Sequence, residues 1–182
     1  EVIRQQAPRS ATGTEHYYSN SNYVLLGRIA EAAGGRSFAD LLHDQVLGPL
    51  ELTNTFVTAG EARSLGTVRG YDVTVLGTGR LGIKLDTEPL RAPLETSAFA
   101  AGAVTATAAD VARFTYGLFS DGLLGEGRLQ AMLPFVDAPD EDVPAQTGYG
   151  LGVRRLVVGG DEMVGHTGTF PGYSNVALYS PA

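Results

Sequence analysis

The sequence contains no cysteine and no tryptophan, two methionines and a single lysine, Lys84, among 182 residues. Without cysteine there is no disulfide, no thiolate metal ligand and no thiol nucleophile. No run approaches the ~20 apolar residues that a membrane-spanning helix needs. Basic residues are also scarce, 13 Lys and Arg against 20 Asp and Glu, for a net charge of −7. An acidic surface repels phosphate backbones and anionic lipid, which argues against nucleic-acid and membrane-surface partners. What remains is an ordinary apolar fraction of 43 % with 24 glycines. That is enough for one domain with its own core.

Helical periodicity dominates the first part of the chain. Ser19, Asn20 or Ser21 is set to cap a helix expected to bury Val24, Leu25, Leu26, Ile29, Ala30 and Ala33, ending at Gly34-Gly35. Ser37 with Asp40 reads as a capping box for a second helix that ends before Pro49. Residues 51–104 are punctuated by Gly and Pro, with a strand patch at Tyr71–Leu76. Thr107 with Asp110 caps a third helix closing at Asp121-Gly122, and a fourth runs from Glu126 to Leu133. The proline- and acid-rich stretch 134–146 reads as a solvated connection. Thr147–Val158 alternates as one strand, with Tyr149, Leu151 and Val153 on one side and Arg154 on the other. Gly159-Gly160-Asp161 turns it into a strand Glu162–Thr169, and Pro171-Gly172 into a third, Tyr173–Tyr179. The division is a mostly helical region 1–140 and antiparallel strands 141–182, forming one α+β fold rather than two domains. A three-stranded sheet needs cover on one face. The chain opens abruptly at Glu1, and it is expected to be incomplete at both ends, with missing segments packing on it.

Gly77-Thr78-Gly79-Arg80-Leu81-Gly82 matches the dinucleotide pattern G-x-G-x-x-G. That pattern works only where a helix begins, and Ile83-Lys84-Leu85-Asp86 does not read as one. A glycine-rich hairpin is the better reading. The three histidines have no metal-ligand spacing, and His16 and His43 read as surface residues.

Two short motifs remain: Tyr18-Ser19-Asn20 ahead of the first helix, and His166-Thr167-Gly168-Thr169 on a strand. Alone, the first reads as a helix cap and the second as a strand end. Their order and surroundings add weight. YYSNSNYVLLGRIAEAAGGRSFADLLHDQVLGPLELTNTF (17–56), AAGAVTATAADVARFTYGLFSDGLLGEGRLQAML (100–133) and GYGLGVRR with GHTGTFPGY (within 147–179) together resemble the penicillin-recognising serine hydrolases. These include class C β-lactamases and, closest here, D-alanyl-D-alanine carboxypeptidases, whose third motif begins with His. The resemblance implies a β-lactamase/transpeptidase-like α/β sandwich, acyl-enzyme chemistry on D-Ala-D-Ala peptides or β-lactams, and a location outside the cytoplasmic membrane. It implies no metal and no organic cofactor. The family's nucleophile is the serine of S-x-x-K. No serine here has a lysine three residues later, since Lys84 follows Leu81. The nucleophile is therefore expected upstream of Glu1.

By the same resemblance, Tyr18 is the phenol that exchanges protons with nucleophile and leaving group. A phenol with a pKa of ~10 acts as a base only beside positive charge. Asn20, two residues on, holds the substrate carbonyl, and His166 tunes the local field. Gly168 admits the substrate backbone. The hydroxyls of Thr167 and Thr169 meet a terminal carboxylate, and the Thr169 N–H is one oxyanion donor. Arg154 is either a guanidinium for that carboxylate or an exposed strand arginine. An esterase of the same fold, and a non-catalytic binding module, remain open alternatives. An unrelated mixed α/β domain would leave the two motifs apart. The discriminating distance is that between the Tyr18 hydroxyl and the His166 ring, for which more than about 10 Å excludes joint chemistry.

Overall fold

A computed structural model describes residue 7 and residues 10–57, 66–76, 81–120 and 122–181. Helix α1 spans Asn20–Gly34, starting after extended Ser19 and ending at left-handed Gly35. Helix α2 (Phe38–Leu42) runs on as a wider π turn, His43–Leu47. The Ser37 hydroxyl accepts from the Asp40 N–H at 3.1 Å, as the capping box requires. Strand β1 (Thr55–Phe56) pairs with β4 (Thr105–Ala106). Strands β2 (Tyr71–Leu76) and β3 (Leu81–Asp86) form an antiparallel hairpin. Residues 77–80 of the glycine pattern lie outside the described residues, but Gly82 sits in β3 and no helix begins there.

Helix α3 (Glu88–Ala98) was not legible in the sequence, because Pro93 in its interior reads as a break. Pro89 in its first turn is compatible with a helix start. The interior proline is offset by buried polar anchoring: the Arg91 guanidinium donates to Glu95 at 2.6 Å, and also to Thr67 and Thr105. Helix α4 (Ala108–Phe119) carries the predicted Thr107 cap, and α5 spans Glu126–Met132. Residue 121 of the predicted closing turn lies outside the described residues. Asp110, in the first turn of α4, is buried and accepts from the Asn54 N–H at 2.8 Å and the Thr55 hydroxyl at 2.9 Å. One carboxylate thus ties α4 to β1.

The main sheet has five antiparallel strands in sequential order: β5 (Val136–Asp137), β6 (Gln146–Tyr149), β7 (Arg154–Val158), β8 (Asp161–Phe170) and β9 (Tyr173–Tyr179). Two expectations are corrected here. The stretch read as one strand, 147–158, is a hairpin that turns through Gly150-Leu151-Gly152, with Gly152 at φ 78°. Tyr149 and Arg154 are consequently cross-strand partners on one face, not on opposite sides. The stretch 134–146 is not merely a solvated connection, since it supplies β5 and buries Ala138 and Gln146. The other turns fall as expected. Gly159 and Gly160 both have positive φ, the two-residue geometry that keeps the strand twist. Helix α4 covers β9, where Phe119 stacks on Tyr179 at 5.5 Å.

Helix α1 is the third correction. Leu25, Leu26 and Ile29 are 58, 56 and 52 % exposed, and Ala33 is exposed too. Helix α1 instead buries Gly27, which meets Phe99 and Ala100 of the turn after α3. Leu25 and Ile29 lie roughly 200° around the helix from that contact. The apolar stripe is real, but nothing among the described residues covers it.

Gly165 in β8 has φ 154°, and a methyl there would overlap the Ala177 carbonyl of β9. Gly165→Ala should lower stability by about 2 kcal/mol or more, read as a denaturation midpoint. Gly159→Ala, whose added methyl meets nothing within 4 Å, should cost about 1 kcal/mol. Equal losses would show that the sheet yields at Gly165.

Candidate active site

Extended Ser19 (φ −150°, ψ 119°) separates Tyr18 from Asn20, so both side chains leave the backbone on the same side. Tyr18 is 37 % exposed and enters a ring cluster. Its centroid lies 6.2 Å from Tyr23, 5.9 Å from Tyr149 and 6.0 Å from His166. The two motifs that resemble the serine-hydrolase site are neighbours in space.

The sheet supplies the other wall. Arg154 of β7 pairs across to Tyr149 of β6 and to Gly165 of β8. Strand β7 begins there, whereas β8 continues to Phe170, paired with β9 alone. Among the described residues, the edge formed by 166–170 therefore has no strand on the side away from β9. His166, Thr167, Gly168 and Thr169 occupy that edge. Thr169 is exposed, and the Asn175 amide of β9 fills the space above Gly168. A β-carbon at Gly168 would collide with it. Asn20 is exposed at the start of α1.

A directed chain of hydrogen bonds runs behind this edge. His166 Nδ1 lies 2.6 Å from the Thr167 carbonyl, which can only accept, so the proton sits on Nδ1. In neutral imidazole, Nε2 then accepts, and the Tyr149 hydroxyl donates to it at 3.0 Å. Tyr149 in turn receives the Tyr23 hydroxyl proton at 2.9 Å. Burial pushes His166 below the ordinary imidazole range, the Thr167 carbonyl opposes that, and Arg154 adds to it. Burial raises the Tyr149 phenol far above its usual value, so it stays a donor.

Tyr18 is also raised, by burial first and then by Tyr23. The Arg154 guanidinium, 5.4 Å over its ring, pulls the other way without prevailing. The raised pKa keeps Tyr18 protonated at neutral pH, and acting as a base would require further positive charge. Arg154 is not an exposed strand residue. Only 6 % of it is accessible, and its Nη1 donates to Asp140 at 2.9 Å and to Gln146. Its buried Nε has no hydrogen-bond partner among the described residues.

Sequence reasoning missed Tyr149, Tyr23, Asp140 and His16. The His16 ring is exposed, yet it packs at 4.7 Å against Tyr149. The overlooked signal was Gly150-x-Gly152, two glycines able to turn a strand back and set Tyr149 beside Arg154. Among the described residues, no group of three or more acidic or histidine side chains could hold a metal ion.

A family model described as Beta-lactamase matches residues 1–182. The chain belongs to the β-lactamase family. It is 34 % identical over 110 residues to a penicillin-binding protein 4 of Amycolatopsis lactamdurans, covering 60 % of this chain and 27 % of that one. A D-aminopeptidase of Cereibacter sphaeroides is 22 % identical over 94 % of this chain and 31 % of its own length. The structure of D-amino acid amidase from Ochrobactrum anthropi SV3, complexed with L-phenylalanine amide, superposes with a TM-score of 0.78 at 26 % identity. That match covers 94 % of this chain and 48 % of the amidase. The chain thus spans about half the length of this solved relative, and about a third or less of the curated ones. The mixture of helices and antiparallel sheet is the β-lactamase/penicillin-binding fold. Among the described residues, no helix is long and apolar enough to cross a membrane.

An NMR titration of His166 should give a midpoint below ~6.5, the unperturbed value. Unfolded chain would bind a proton that the folded imidazole refuses. Stability should therefore fall as pH drops from ~6.5 toward the folded midpoint, and His166→Asn should flatten that segment. A midpoint above ~6.5 would mean that the imidazolium is the favoured form.

Proposed function

We propose that this chain carries the tyrosine–histidine half of an acyl-transferring serine hydrolase, acting on D-configured peptides or amides or on β-lactams. The serine and lysine of S-x-x-K would come from sequence outside these 182 residues. The observation that carries the reading is the 6.0 Å approach of Tyr18 and His166 beside an open strand edge. An extended acyl chain can lie along that edge and use those N–H and C=O groups of 166–170 that face away from β9. The relatives act in the same sense, being named a penicillin-binding protein, a D-aminopeptidase and a D-amino acid amidase.

The roles are those the family resemblance implies. The Thr169 N–H and the N–H of the nucleophilic serine would hold the developing oxyanion. Asn20 would orient the acyl carbonyl. As the serine oxygen forms the acyl bond, its proton would pass to the neutral lysine of S-x-x-K, and Tyr18, protonated here, would give its proton to the departing nitrogen as the acyl–nitrogen bond breaks. On release, the attacking water would return a proton to Tyr18 and the lysine would return one to the serine oxygen. His166 would stay neutral, held by Tyr149 and the Thr167 carbonyl, and shape the field at the edge. The uncovered Leu25, Leu26 and Ile29 of α1 are suited to packing against further segments of the same protein. A site outside the cytoplasmic membrane, where peptidoglycan lies, fits this chemistry.

Intact mass with a penicillin tests the reading. The 19.1 kDa chain alone should gain no adduct, whereas a longer protein containing it should gain one penicillin per chain. In that longer protein, Tyr18→Phe should slow acylation by about 10²-fold or more, the usual scale for a positioned proton donor. No adduct on a protein that does carry S-x-x-K would instead favour a non-catalytic module.

A further inference from the structure

Arg154 is the side chain suited to pairing with a substrate carboxylate, and it is already occupied. Its guanidinium is bonded through Nη1 to the Asp140 carboxylate at 2.9 Å and to the Gln146 amide oxygen. Its side chain is only 8 % exposed, while that of Asp140 is 25 % exposed and borders solvent. A further donor, Nε, is buried and has no hydrogen-bond partner among the described residues. Asp140 is itself fixed, since its carboxylate accepts the Asp142 N–H at 3.0 Å and the Asp140 and Val143 backbones bridge. The Arg154 hydrogen bond, more than any other contact, holds the Asp140 carboxyl below its usual range, so it is charged at neutral pH. Both charges act on Tyr18, with opposite signs.

A carboxylate arriving at this place meets a neutralised pair. It would add a second anion beside a guanidinium whose charge the Asp140 carboxylate already matches at 2.9 Å. A neutral amide or ester end carries no such penalty.

We propose that Asp140 is a specificity-determining residue. By holding Arg154, it sets the site for acyl substrates whose far end is an amide or ester rather than a free carboxylate. Asp140 acts through Arg154, so it is a positioning residue. The proposal rests on the hydrolase reading given above and narrows its substrate class.

Two probes differing only at one end decide it: N-acetyl-D-alanyl-D-alanine and its C-terminal amide. Their binding to the isotopically labelled 182-residue chain is followed through the ring resonances of His166 and Tyr149. Wild type should bind the amide at least as tightly as the carboxylate. Asp140→Asn leaves Arg154 charged and unmatched, and should shift the ratio toward the carboxylate by about tenfold. Asp140→Glu keeps the charge and should retain the wild-type order. Wild type preferring the carboxylate severalfold overturns the proposal while leaving the hydrolase reading intact, and it needs no variant to fold. An unchanged ratio in a folded Asp140→Asn does the same. If neither probe moves these resonances in any of the three proteins, this proposal is overturned, whereas the hydrolase reading stands or falls on the penicillin adduct of the longer protein.

Discussion

The charge on Arg154 organises one end of the molecule. It starts β7, faces Tyr149 across one ladder and Gly165 across the next, and lies over the rings of Tyr18 and Tyr149. A buried guanidinium without a counter-charge is costly. Asp140 and Gln146 are therefore required where they are, which explains why an acid- and proline-rich segment that looks like a loop is folded against the sheet. The same cation–carboxylate pair sets the electrostatics at Tyr18. It contributes little net charge there, and so leaves burial to decide the protonation of the phenols.

The sheet converts this local arrangement into a usable surface. Because β7 starts at Arg154 and β8 runs five residues beyond Gly165, the His-Thr-Gly-Thr segment gains an edge without a neighbouring strand among the described residues. Long open edges are usually a hazard and are blunted by charge or cover. Here the edge is short, strongly anchored to β9, and backed by a buried phenol. It is a rigid platform on which an extended ligand can be aligned.

Much of this was legible in the sequence, and the failures have identifiable causes. Caps were readable because the chemistry is local: Ser37 with Asp40, and Thr107 with Asp110, need no tertiary context. Tyr18 and His166 were found through family resemblance, since no periodicity connects residues so distant in the chain. Period-two alternation misled at 147–158, because a tight glycine turn preserves the alternation while reversing the direction. Pro93 concealed α3, since the buried Arg91–Glu95 anchoring that tolerates it is a tertiary effect. Apolar Leu25 and Ile29 implied burial, but a pattern shows only which face wants cover, not what provides it. Tyr149 was visible as a strand residue, while its role depends on Tyr23 and His166, neither of which is near it in sequence.

The chain of hydroxyls behind the edge has one more property. With His166 neutral, donation runs from Tyr23 to Tyr149 to the imidazole. If the imidazole gains a proton on Nε2, the two hydroxyls can rotate and donation runs the other way, ending at the half-buried Tyr23. No heavy atom has to move. The fold has thus built a short reversible wire between a half-buried imidazole and the protein exterior, along which a charge at the sheet edge can be felt at the side of helix α1.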